Sequence, residues 1–346
     1  MHMADALLSP AVGGTFWAGT LAAIGYSSRK LKENIDDKMI PLMGVLGAFI
    51  FAAQMINFTV PGTGSSGHIG GGMVLTIILG PYAAFLAIAS VLTVQGLFFA
   101  DGGLLALGCN IWNMGIYPCF IVYPLLYKPL VNDSKNPARI LVVSILSVVI
   151  ALQMGAFSVV METLLSGKSE LPFGTFILLM QPIHLVIGIA EGFITAGVIN
   201  YVRSTRPEIL KSITAARPLN PAVSLKRVVT IFILFTIITG GVLSWFASTH
   251  PDGLEWSIRK ITGKTELAEQ EQGVAPVMKS IQKKTAFFPE YSFQPTANET
   301  KQGKADPSWP SVDTGTSVAG IIGASLVFGF ILLLATGIRF IRKKHT

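Results

Sequence analysis

The 346-residue chain is 51% apolar and only 13% charged, with a mean hydropathy of +0.59, whereas a water-soluble chain carries about 25% charged residues. This balance excludes an ordinary soluble protein and predicts an all-α polytopic membrane protein, because several uncharged stretches reach the ~18 residues that a span requires. The net charge of +7 therefore bears on orientation; no aromatic-rich basic patch or nucleic-acid fold signal accompanies it.

The chain opens MHMADALLSP. A cleavable signal peptide wants positive charge before its apolar core, but here Asp5 comes first and the earliest basic residue, Arg29, lies behind the first apolar run. Positive charge in that position holds the inner end of the span in the cytoplasm, so Met1 is expected to be retained and the amino terminus to lie outside. The first span carries Ala18, Gly19, Ala22 and Ala23. Overlapping small residues at this spacing let a second helix approach closely, which makes them the expected docking face for a partner.

Apolar runs fall at 11–28, 39–58, 69–80, 82–100, 104–127, 138–160, 174–202, 228–247 and 319–340. The third is short and glycine-led, as expected of a half-span packed inside protein rather than against lipid. Basic clusters follow the first, fifth, seventh and last runs, and nine crossings place all of them on one side. The expected organisation is a seven-helix bundle (1–205), a polar, proline-containing cytoplasmic linker (206–227) and a two-helix unit (228–346). That last unit holds a long external loop, 248–318, read as either a folded cap or a mobile segment. Cys109 and Cys119 lie within one apolar stretch and read as small buried hydrophobes rather than a disulfide.

The nine-crossing map puts the amino end and the loop GTGSSGHIGGG (62–72) on the same external face, and with them His2 and His68. A chain beginning Xaa-His pre-assembles three nitrogens. The Met1 amine and the His2 main-chain nitrogen close a five-membered ring around a metal, and that same nitrogen with the His2 imidazole closes a six-membered one. A fourth nitrogen from His68 would complete a square, which suits Ni(II) or Cu(II); zinc prefers a tetrahedron. The alternatives are a chance Met-His start and a loop histidine that caps main chain.

Other polar residues stand out along the chain. Gln95, Asp101, Asn110 and Asn113 are expected either to orient the two histidines or to cap helices, with Asp101-Gly102-Gly103 as a turn. SGKSE (166–170) has Glu162 where the first glycine of a phosphate-binding loop belongs, so no ATPase site is expected. His184 and Glu191 share a face of the seventh span and read as interhelical hydrogen-bonding groups, with a relay or second site as the alternative. In HPDGLE, His250, Asp252 and Glu255 could pass metal inward, while a helix N-cap at Asp252 accounts for the same letters structurally.

MHMADALLSP, NFTVPGTGSSGHIGGG and QGLFFADGGLLALGCNIWNMG together resemble the substrate-capture component of nickel/cobalt energy-coupling-factor transporters, the NikM/CbiM family, over about 1–205. HPDGLEWS (250–257), lying between two spans, resembles the small NikN/CbiN subunit over about 225–346. The resemblance implies a fused transporter subunit, not an enzyme, that takes up Ni(II) or Co(II) across a prokaryotic cytoplasmic membrane. It carries the donors over to the Met1 amine, the His2 amide and imidazole, and the His68 imidazole. It also implies a membrane coupling subunit and paired ATPase subunits as partners, no resident cofactor, and a cytoplasmic carboxyl terminus. Cobalt members commonly begin MHI-ME-GFL, and the departure here, with the square of nitrogens, favours nickel. The alternative is a self-contained secondary transporter, which calls for mid-membrane carboxylates on broken helices; only Glu191 qualifies clearly. A metalloenzyme would need an open-sided metal and a general base, and no HEXXH-like pair occurs.

Overall fold

A computed structural model describes residues 2–34, 38–132, 134, 136–168, 170–215, 219–220, 223–268, 273–293 and 309–343. After a short 3-10 turn at Asp5–Leu7, the helices α1 (Pro10–Asn34) and α2 (Met39–Gln54) lead to a hairpin of β1 (Phe58–Val60) and β2 (Ser65–Gly67). Then come α3 (Gly72–Leu79), α4 (Pro81–Phe98) and α5 (Leu107–Ile111). The last continues as a π-type helix over Trp112–Tyr127 and ends in α6 (Lys128–Val131). Pro118 and Pro124 lie inside that stretch, where a missing N–H and ring clash disfavour the ordinary ladder. α7 (Pro137–Ser166) and α8 (Phe173–Thr205) pack along each other, and α9 (Pro207–Ala215) follows. The remaining elements are α10 (Lys226–Gly241), α11 (Gly253–Thr262), α12 (Val274–Thr285) and α13 (Thr314–Lys343).

Each of the nine apolar runs holds a helix. Among the described residues, five helices are long and apolar enough to cross a membrane: Pro81–Phe98, Leu107–Val131, Pro137–Ser166, Phe173–Thr205 and Thr314–Ile341. Met39–Gln54 is a shorter apolar helix. α3 is buried along its whole length. α10 and α13 pack on α2 and on each other; they meet where Gly240 and Gly320 bring their backbones together, and a Cβ on Gly320 would lie 2.4 Å from the Gly240 carbonyl oxygen.

Two features position the site. The first is the amino-terminal segment, where Met3, Leu7 and Leu8 are buried against Leu105, Cys109, Phe176, Met180, Leu254 and Ile258. Burial of such side chains is worth roughly 1.5–3 kcal/mol each, enough to seat this segment. The second is the segment between α10 and α13, whose described parts are folded rather than loose. α11 packs on α8 and β2, and α12 on α4, so both lie over the end of the bundle that holds the hairpin. A capping box fixes the start of α11: Asp252 accepts from the Leu254 and Glu255 amides, and Glu255 accepts from the Asp252 amide.

Candidate metal centre

His2 enters the site because the chain behind it is clamped. The Met3 amide donates to Asn110 Oδ1 at 2.8 Å, and the Met3 carbonyl accepts from the Gly103 amide at 2.9 Å. Two residues on, Asp5 Oδ1 accepts from the Ala106 amide at 2.9 Å. The loop between α4 and α5 can lie this close because Gly102 has φ +79° and no side chain. A Cβ there would sit 3.1 Å from the His2 Cβ and 2.9 Å from Asn110 Nδ2.

His68 arrives from the hairpin. Its Nδ1 bonds the Ile69 carbonyl at 3.0 Å. The glycines behind it are held by α8: the Gly70 and Gly71 amides donate to the two Glu191 carboxylate oxygens at 2.6 and 2.9 Å. Gln54 of α2 donates to the Gly70 carbonyl at 2.8 Å and accepts from Gln95 at 2.9 Å. From the segment between α10 and α13, the Pro251 carbonyl accepts from the Ser66 amide and Trp256 Nε1 donates to the Thr63 carbonyl.

These supports bring the two imidazoles into a stack, with centroids 5.1 Å apart and planes inclined by 15°. With metal–nitrogen bonds of about 2 Å, neighbouring imidazoles in a square have centroids about 4.5 Å apart, so one ion lies within reach of both. Burial pushes each imidazole down to about 3, which keeps both rings neutral, with a lone pair available, at physiological pH. The His2 ring meets Asp101: Nδ1 lies 3.1 Å from Oδ1. Tyr291 donates to Asp101 Oδ2 at 2.5 Å. Burial raises the Asp101 carboxyl above its ordinary range. His2 Nε2 and Gln95 Oε1 are both buried, and neither meets the geometry of a hydrogen bond among the described residues.

The site opens on a cavity of about 430 Å³ whose lining includes His2, His68, Asp101, Asp252, Glu255 and Tyr291. Burial first, then the neighbouring Asp252, raises Glu255 to about 7. No group of three or more His, Cys, Asp or Glu side chains that could hold a metal occurs among the described residues.

The remaining expected site residues are distributed differently. Met1 lies outside the described residues. Asn113 donates to Glu162 of α7 at 2.9 Å, one turn deeper than Asn110, and so supports the bundle rather than either histidine. The His250 side chain is exposed, and its main chain is engaged: the carbonyl accepts from Ser66 Oγ and the amide donates to Ser248 Oγ. Asp252 and Glu255 line the cavity while also forming the capping box. Ala18 and Ala22 face outward, but Gly19 backs onto Trp112 and Ala23 packs on the core. His184 Nδ1 bonds the Met180 carbonyl within α8. The reading of the sequence missed Gln54, Tyr291 and Gln282. Gln54, a side-chain amide within an apolar run like Gln95, carried the same signal.

Similarity to known proteins bears on this arrangement. Residues 2–209 match the family pattern described as the cobalt uptake substrate-specific transmembrane region (CbiM), and residues 226–340 match the PDGLE domain. The chain is 36% identical over 223 residues to a protein of Archaeoglobus fulgidus named as a fused nickel transport protein, covering 64% of this chain and 72% of that one. It is 28% identical over 293 residues to the fused nickel transport protein NikMN of Rhodobacter capsulatus, covering 80% and 82%. A crystal structure of a truncated transition metal transporter superposes with a TM-score of 0.52 at 29% identity, covering 59% of this chain and 99% of that one.

Proposed function

This chain belongs to the cobalt uptake substrate-specific transmembrane family, and from that premise we propose that it captures a nickel ion outside the membrane for an ATP-driven energy-coupling-factor importer. As a multi-pass membrane protein of a metal-transport family, with a PDGLE domain in the same chain, it fits uptake of a transition-metal ion. Four nitrogens hold the ion in a square: the Met1 amine, the His2 amide and imidazole, and the His68 imidazole. Cobalt(II) is the second cargo. The observation that carries this reading is the stack of His2 on His68, two histidines far apart in sequence, at a spot where side chains alone cannot complete a metal shell.

The protein's part in capture follows from its own groups. Burial keeps the imidazoles unprotonated, Asn110 and Gly103 fix the main chain behind His2, and Glu191 and Gln54 fix the glycines behind His68. A membrane coupling subunit and paired ATPase subunits supply the motor, and the outward face of α1 at Ala18 and Ala22 is offered for docking. The amino terminus lies outside and the carboxyl terminus in the cytoplasm. A self-contained secondary transporter would need a free mid-membrane carboxylate, and Glu191 is committed to two glycine amides.

The test is to add one residue before Met1 or to acetylate its amine. Tight nickel binding, followed by titration calorimetry, disappears if the amine is a donor; unchanged affinity overturns the site. A yellow, diamagnetic nickel-loaded protein marks the square, and a green paramagnetic one rejects it. Nickel uptake into liposomes holding this chain alone would reject the ATP-driven reading.

A further inference from the structure

The six-membered chelate ring fixes which His2 nitrogen must face the ion. Counting the metal, the main-chain nitrogen, Cα, Cβ, Cγ and one ring nitrogen gives six atoms only with Nδ1. Nε2 lies on the far side of the ring and cannot close it. Yet Nδ1 is the nitrogen that sits 3.1 Å from Asp101 Oδ1. A carboxylate and a metal ion cannot hold the same nitrogen together, because the first needs a proton on it and the second needs its lone pair.

Asp101 is itself held in place by the external segment. Tyr291 donates to its other oxygen, Oδ2, and the Tyr291 ring stacks on Phe99 with centroids 5.1 Å apart. Two turns back along the same segment, Gln282 Nε2 donates to the Gly96 and Gly102 carbonyls at 2.8 and 2.7 Å, and so grips the loop on both sides of Asp101. The Glu290 amide adds a bond to the Phe99 carbonyl at 2.9 Å. Glu290 and Tyr291 both adopt positive φ, +53° and +58°, a conformation that non-glycine residues hold at a cost. That backbone is what delivers the tyrosine hydroxyl to the carboxylate. On the other side of the ring, the buried Nε2 faces Gln95, whose side chain is the hydrogen-bonding group beside it. It can take the ring proton once Nδ1 turns to the ion.

We propose that Asp101, held by Tyr291 from the PDGLE part of the chain, occupies the chelating nitrogen of His2 and must yield it to the incoming ion. Tyr291 and Asp101 are positioning residues that set how fast the capture site loads. This rests on the four-nitrogen reading of the site.

The experiment measures nickel loading of the full-length protein in detergent by stopped-flow absorbance. The variants are Asp101→Ala, Tyr291→Phe and the double substitution. Charge-assisted hydrogen bonds are worth enough that removing the competitor should speed loading about tenfold. Tyr291→Phe, which keeps the ring stack but frees the carboxylate to swing into the cavity, should speed loading by less, and should add nothing once Asp101 is gone. The absorption band of the loaded centre should stay where it is in every variant, since the donors are the same; a merely structural role would not combine faster loading with an unmoved band. Slower or unchanged loading in Asp101→Ala, or additive effects in the double variant, overturns the proposal. Should Asp101→Ala fail to fold, Tyr291→Phe decides alone: faster loading supports the competition, and slower or unchanged loading overturns it. The parent reading fails separately. If a residue added before Met1 leaves binding intact, the donor set is wrong; if it abolishes binding while Asp101→Ala loads no faster, only the competition is wrong.

Discussion

Met3 and Asn110 grip each other from both ends of a peptide unit: the Met3 amide donates to Asn110 Oδ1 at 2.8 Å, and Asn110 Nδ2 donates to the Met3 carbonyl at 3.4 Å. Asn110 is buried within α5, so this exchange ties the start of the chain to the interior of the bundle one residue after His2. Replacing it with Ala leaves the buried Met3 amide without this acceptor, at a cost of about 1–3 kcal/mol, while the Met3 carbonyl keeps its bond from the Gly103 amide. Asn110→Ala should therefore weaken nickel binding about tenfold or more, with the absorption band of the bound ion unmoved. Titration calorimetry with a spectrum of the loaded protein checks both, and unchanged affinity would show that the clamp does not serve the site.

Gly102 tests the same segment from the loop side. An alanine there must adopt φ +79° and place a methyl group 3.1 Å from the His2 Cβ, so either the loop or the amino end shifts. A side chain forced into that region costs about 1–2 kcal/mol before any clash is counted. Gly102→Ala should weaken nickel binding more than it lowers the melting temperature, because the strain falls on a chain end and not on the helix packing. Comparing the two losses in one preparation separates a displaced site from general instability.

Glu191 carries the corresponding load for His68. Its two oxygens receive the Gly70 and Gly71 amides, a carboxylate used as a cap for the start of α3. Glutamine keeps one acceptor and turns an NH₂ group toward the second amide, so Glu191→Gln should cost about 1–3 kcal/mol. The expected outcome is a loosened 67–72 loop, read as faster amide hydrogen exchange there, together with weaker nickel binding. Normal exchange with lost transport would instead move Glu191 from a structural role to the transport path.

Much of this was legible in the letters. Apolar runs mark where the helices are, since the hydrocarbon core dictates their length, and an early histidine with a glycine-flanked one singles out the pair that stacks. Less visible was which face of a helix turns inward. Ala18 and Ala22 share one stripe of α1 and Gly19 and Ala23 the next, about 100° round, and only the packing of Trp112 on Gly19 tells the two apart. Depth was hidden in the same way. Asn110 and Asn113 look equivalent, yet a rise of about 1.5 Å per residue carries Asn113 past the amino-terminal segment to Glu162. Tyr291 was out of reach altogether, because its partner Asp101 lies far back in the chain and nothing local to PEYS announces a metal-site contact.

Acidification should undo the site in a window set by its buried imidazoles. Burial holds His2 and His68 at about 3 in the folded protein, against an ordinary value of 6.5. The folded state thus binds fewer protons than the unfolded one between those limits, and stability rises with pH across them. The contribution is fully present above pH 6.5 and is lost as pH falls toward 3. Glu255 runs the other way: raised to about 7 from 4.5, its neutral form favours the folded cap, and that contribution is present below 4.5 and lost as pH rises through 7. Above 7 the ionised carboxylate makes the cavity more attractive to a cation. The folded-state imidazoles are already neutral at pH 5, so nickel affinity should climb from pH 5 to pH 8 as the Glu255 charge is added and the ion displaces the amine and amide protons more easily. Glu255→Gln should flatten only the upper part of that curve, and Asp5→Asn, which changes a carboxylate on the same cavity held by the Ala106 amide, is the control for charge alone. Hydrogen exchange over residues 3–9 should report the lower window independently of metal: protection complete at pH 7 and falling steadily by pH 4. A protected amino-terminal segment at pH 4 would mean that its docking does not depend on neutral imidazoles.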